Sequence, residues 1–106
     1  MLPGVSLKVL LRSDGPLPGY ETVILELEIE AGTTVGRHTH PGIESTYVIE
    51  GAAELLVDGQ PARMLKPGDA FQIPPNLPHS VNIGEYKEKA CSTLIVEKEK
   101  PLVSAL

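Results

Sequence analysis

Ten glycines and ten prolines punctuate this chain from end to end and cut its apolar residues into short runs. Short runs between turn signals are the pattern of an all-β fold. Val23, Leu25, Leu27 and Ile29 alternate with Ile24, Glu26, Glu28 and Glu30, so one face is apolar and the other mostly acidic. That period of two belongs to a strand half buried against a core. No window of 11 or more residues carries the 3.6-residue apolar stripe of a helix.

Further strands are predicted at Val5 to Leu11, Ser45 to Ile49, Ala53 to Val57, Gln60 to Leu65, Ala70 to Ile73, His79 to Ile83 and Ala90 to Val96. Asp58-Gly59 is a hairpin signal between two of them. Pro74-Pro75-Asn76-Leu77-Pro78 cannot lie inside a ladder, because its prolines remove donors. Residues 1–106 fit one domain, expected to be a small barrel or sandwich.

Charge and composition narrow the classes of function. Fourteen acidic residues against nine basic ones give a net charge of −5, and the bases are scattered. A nucleic-acid partner would leave a basic stripe, so none is expected. No apolar run approaches the roughly 20 residues of a membrane helix, and Met1-Leu2-Pro3-Gly4-Val5 lacks the features of a signal peptide. A cytoplasmic protein is expected. Cys91 is the only cysteine, which excludes an intrachain disulfide and suits a reducing compartment. Its place in a strand-like run marks it as packing rather than as a nucleophile.

The chemistry gathers around three histidines, His38, His40 and His79. On a strand, His38 and His40 share a face about 7 Å apart, close enough to converge on one metal ion. Pro41-Gly42 then breaks the strand, and a tight reversal brings Glu44 back opposite the pair. Imidazoles with a carboxylate form a familiar shell for Mn, Fe, Ni, Co or Zn. Taken alone, the pair also fits two surface histidines on an edge strand.

Wider spacing separates these readings. Gly32, five residues, His38, one, His40, three, Glu44, six, and Gly51 resembles the first motif of the cupin superfamily at every fixed position. Gly68, Pro74 and His79 stand at matching places of the second motif. Asn76 replaces its glycine and still tolerates a positive φ, while Asn82 comes one residue before the motif's final asparagine, where Ile83 stands. The tail Glu97-Lys98-Glu99-Lys100-Pro101-Leu102 looks like that of small single-domain bacterial cupins.

The resemblance implies a conical antiparallel β-barrel of the jelly-roll type. Inside it, His38, His40, Glu44 and His79 would bind one divalent transition metal ion: Mn, Fe, Ni, Co, Zn or Cu. Three nitrogens and one carboxylate leave two positions of an octahedron open. The resemblance further implies a quercetinase-like, metal-dependent dioxygenase acting on a small organic substrate. Two alternatives are a metal-dependent isomerase or lyase on a sugar or carbonyl acid, and a non-catalytic module that binds a small ligand.

Parity predicts that Thr46 and Val48, Val81 and Ile83, and either Phe71 with Ile73 or Gln72 line the cavity. Tyr47, Arg37 and Tyr86 are expected to lie outside it. A homodimer is expected too, because Val5 to Leu11 carries Val5, Leu7, Val9 and Leu11 on one face and Leu10 on the other. One small barrel can hardly bury both faces.

Overall fold

The computed structural model describes residues 3–106; Met1 and Leu2, on which the reading of the N-terminus partly rests, lie outside them. In chain order the strands are β1 (Val5–Asp14), β2 (Tyr20–Ile29), β3 (Thr34–Thr39), β4 (Gly42–Glu50) and β5 (Ala53–Val57). They continue as β6 (Arg63–Leu65), β7 (Ala70–Ile73), β8 (His79–Ile83), β9 (Glu88–Glu97) and β10 (Ser104–Ala105). Among the described residues no helix is long and apolar enough to cross a membrane.

The strands form two five-stranded sheets, ordered β1-β2-β9-β4-β7 and β10-β3-β8-β5-β6, and every pairing is antiparallel. Only β1 to β2 and β5 to β6 are successive strands of one sheet; at every other connection the chain crosses to the opposite sheet. This is an all-β jelly roll. Its core lies between the sheets and is built by alternation. In β9 the residues Glu88, Ala90, Ser92, Leu94 and Val96 are buried and their neighbours are not. Val23 and Leu25 of β2 pack there against Leu94 and Val96.

Gly42 makes one close approach possible. A Cβ at this position would collide with the carbonyl of Ile95, so only glycine lets β4 run against β9 here. Two residues later on the same face stands Glu44.

Strand edges differ from the sequence pattern for local reasons. After the Asp58-Gly59 turn, closed by Gln60 N–H donating to Val57 O at 3.0 Å, β6 begins only at Arg63. Pro61 has no N–H to give the ladder. β9 begins two residues earlier than its apolar run, at Glu88. β10 carries no pattern of its own and is defined by pairing with β3. In β1 a bulge at Leu10 shifts the register, so Val9 faces Leu25 while Leu11 faces Ile24. Leu11 therefore leaves the face of Val5, Leu7 and Val9, a change that alternation alone does not predict.

Candidate metal centre

Three strands and one stiff loop bring the histidines together. His38 near the end of β3 pairs in register with His79, the first residue of β8. His40 follows just beyond β3, and Pro41 returns the chain so that Glu44 on β4 faces both sheets' interior. The ring centroids lie 5.0 Å apart for His38 and His40, 4.3 Å for His38 and His79, and 5.1 Å for His40 and His79. One nitrogen from each ring falls within 4.8 Å of the others. The alternative of two surface histidines on an edge strand fails, since His40 is buried, His38 is half-buried and β3 lies between β10 and β8.

Backbone carbonyls set the direction of each ring. Nδ1 of His38 donates to Gly36 O at 2.7 Å, that of His40 to Leu102 O at 2.7 Å, and that of His79 to Leu77 O at 2.8 Å. With Nδ1 carrying the proton, Nε2 keeps its lone pair. Nε2 of His40 and of His79 each lie 3.1 Å from the same atom, Oε1 of Glu44. In a buried space these lone pairs and the carboxylate need a cation between them, either a proton on Nε2 or a metal ion. The donor set fits a transition metal ion.

Electrostatics agree. Burial pushes the Glu44 carboxyl up, but in the metal-free protein hydrogen bonds from His40 and His79, when Nε2 carries a proton, and from Thr46 outweigh it and hold the group well below the usual carboxylate range. Burial lowers His79, yet its bonds with Glu44 and Leu77 leave it raised. His38 is lowered, first by burial and then by the neighbouring histidines. One proton or one metal ion is what this pocket is set up to hold.

The loop Pro74 to Pro78 acts on two of the histidines. Asn76 takes the positive φ expected of it, 61°, and its N–H donates to His40 O at 3.0 Å. Leu77, next in the loop, supplies the carbonyl for His79. Asn82, displaced from its motif position, ties β8 to its neighbours instead: it accepts from Thr34 at 3.0 Å and donates to Glu54 at 3.1 Å.

Beside the cluster lies a cavity of about 120 Å³, mostly apolar, with Thr46, Phe71 and Val81 in its wall as parity predicts. Val48 and Ile73 are buried in one core cluster and Ile83 in another. Gln72 is exposed and bonds Ser45. Tyr47 and Tyr86 are exposed, and Arg37 pairs with Asp58 at the surface. Two polar residues in the cavity wall, Glu88 and Ser92, escaped the sequence reading. Extending the alternation of Ala90 to Val96 by one step would have found Glu88. The carbonyl of Leu102 has no sequence signal at all.

A two-sheet jelly roll holding three histidines and a carboxylate at its interior defines a metal-binding β-barrel protein of the cupin type. A family model described as "Cupin domain" matches residues 25–97, and the chain belongs to that family. It is 32% identical over 71 residues to dimethylsulfoniopropionate lyase DddQ of Ruegeria pomeroyi, covering 67% of this chain and 35% of that protein. The chain thus spans about a third of this curated relative's length.

Solved structures share the fold. The crystal structure of the Ruegeria pomeroyi lyase superposes with a TM-score of 0.82 at 24% identity, over 95% of this chain and 51% of that one. KdgF from a Halomonas species gives 0.74 at 23%, over 92% and 85%. The polyketide cyclase RemF of Streptomyces resistomycificus gives 0.75 at 23%, over 98% and 72%.

Proposed function

We propose that His38, His40, Glu44 and His79 hold one divalent transition metal ion, and that the protein is a lyase-type cupin enzyme acting on a small organic acid. The observation that carries this reading is the meeting of two Nε2 lone pairs on a single Glu44 oxygen, with every Nδ1 already committed to a carbonyl. Such an ion, when bound, supplies Lewis acidity toward a substrate oxygen. The chain's own share is to fix the four donors and to surround the substrate with apolar walls that exclude water.

The relationship to dimethylsulfoniopropionate lyase favours elimination over the oxygen chemistry suggested by sequence resemblance. Residues 1–106 are read as one cupin domain, cytoplasmic and homodimeric, taking a small molecule and neither nucleic acid nor membrane as partner.

Metal analysis of purified protein, followed by proton NMR of the loaded protein with dimethylsulfoniopropionate and other β-substituted carboxylic acids, tests the reading. Alkene signals without oxygen consumption are expected. Oxygen uptake with any of them would return the dioxygenase reading. Metal binding with neither reaction would favour the binding module.

A further inference from the structure

Glu88 is an acidic side chain in the cavity wall that is not one of the four donors of the metal centre. It is 5% exposed, and its Oε2 is sealed from solvent without a hydrogen-bond partner among the described residues. Lys87 is engaged with Glu28 at 3.6 Å, and Lys89 points to the opposite face of β9 by alternation. Burial alone pushes the Glu88 carboxyl above its usual range. A polar atom kept buried and unpaired is costly, and native structures that keep one need a reason.

Its position suggests the reason. Glu88 lines the same cavity as the histidine cluster, but at the other end. Opposite it on β2 stands Ile29, which packs with Ala53 and Ile83 and with the half-buried Val5, Val35 and Val81. Four steps along β9 separate Glu88 from Ser92, and four along β8 separate Ile83 from His79. Both strands therefore put about 13 Å between the two polar ends. The volume, about 120 Å³, is far below that of a pocket for a drug-sized molecule.

The chemistry of the far end selects its ligand. An ammonium brings three N–H donors and a guanidinium five, which one carboxylate among valines and isoleucines cannot satisfy. A quaternary or tertiary onium brings charge without donors, and its methyl groups pack against apolar walls. We propose that Glu88 binds the onium end of a short zwitterionic ligand whose anionic end lies at the histidine cluster. This deepens the reading above and rests on it for the anionic end only.

The test compares two acids of equal shape on metal-loaded protein by calorimetry. 4-(Trimethylammonio)butanoate carries the charge, and 5,5-dimethylhexanoate replaces its nitrogen by carbon. The parent protein is expected to prefer the charged acid by about tenfold or more. Glu88→Gln should bring that ratio to about one without changing metal content. A ratio near one in the parent, or one that survives Glu88→Gln, overturns the proposal.

Tetramethylammonium titrated into metal-free protein tests Glu88 separately from the metal centre. Saturation transfer to its methyl groups, lost in Glu88→Gln, supports the subsite; no transfer in the parent counts against it. If tetramethylammonium binds but neither acid does, the zwitterionic ligand is overturned: the anionic end does not lie at the histidine cluster, and Glu88 is left as a cation site alone.

Discussion

The hydroxyl of Thr46 donates to Oε2 of Glu44 at 2.6 Å, leaving Oε1 as the carboxylate atom that meets the histidines. Because Thr46 has one proton and spends it there, the 2.6 Å contact with Ser92 must have Ser92 as donor. A relay Ser92 to Thr46 to Glu44 thus fixes the carboxylate's rotation from behind. Partners of this kind orient metal ligands and are worth about 10–100-fold in metal affinity. Thr46→Val is expected to weaken metal binding by that order in competition with a chelator, with the β-type circular dichroism unchanged. An unaltered affinity would mean that the relay does not position Glu44.

Removing a ligand should hurt the site more than the fold. His79→Ala and Glu44→Ala are each expected to lower metal affinity more than Thr46→Val does, while the β-type circular dichroism persists. The two sheets are held by apolar strand faces, among them the cluster of Val23, Leu25, Leu94 and Val96, rather than by an ion. A variant that binds metal as tightly as the parent removes that residue from the ligand set.

The pH dependence has opposite signs for the metal-free protein's groups. Glu44 is depressed below 4.5, so the stability it contributes is present above about that pH and is lost as pH falls further. His79 is raised above 6.5, so its contribution is present below that value and is lost as pH rises through the folded value. His38 is lowered from 6.5, and its effect runs the other way, costing stability as pH falls below that value. These three groups together should therefore contribute most near pH 6.5, read by denaturant midpoints in the metal-free Glu88→Gln variant, where the separate fall caused by Glu88 is removed. Ligating imidazoles must be neutral, so bound metal should be released between roughly pH 6 and 4. Full metal occupancy after dialysis against chelator at about pH 4 would argue against histidine ligation.

Much of this centre is legible in the sequence because its ligands follow rules of local geometry. Strand alternation puts His38 and His40 on one side, and Pro41-Gly42 forces the return that delivers Glu44. Asn76 at positive φ is likewise a property of one residue in one turn. The parts that stay hidden are long-range. Leu102 O reaches His40 across 62 residues, and Ser92 reaches Thr46 across 46. Neither pairing is visible until β9 has paired with β4 and the chain beyond β9 has returned past β3. The bulge that turns Leu11 to the other face is hidden for a different reason. Val9, Leu10 and Leu11 are all apolar, and an unbroken apolar run carries no mark of which residue is the extra one.

Glu88 should cost the protein stability at neutral pH. Its carboxyl ionises less readily when folded, so the native state keeps a proton that the unfolded chain has lost. Stability then falls as pH rises from about 4.5 through the folded value and is level above it. Glu88→Gln removes that loss and is expected to raise the melting temperature at pH 7. Near about pH 4 parent and variant should melt together. A variant that melts lower at pH 7 would show that Glu88 has a stabilising partner.

β1 lies at the edge of its sheet. Leu7, Val9, Leu10 and Leu11 are 47%, 46%, 48% and 45% exposed, four large apolar side chains in five consecutive positions. The bulge spreads them over both faces, so no fold of this strand onto its own sheet covers all of them. An edge strand also leaves backbone N–H and C=O groups ready to pair. A two-fold copy placing β1 against β1 would cover the leucines and satisfy those groups together, and such dimers are the commonest closed assembly. Sedimentation equilibrium at micromolar concentration should give twice the chain mass of 11.4 kDa. Leu10→Lys should shift the population toward monomer without changing the β-type circular dichroism. A parent protein that sediments at the single-chain mass would leave β1 facing solvent and end the dimer reading.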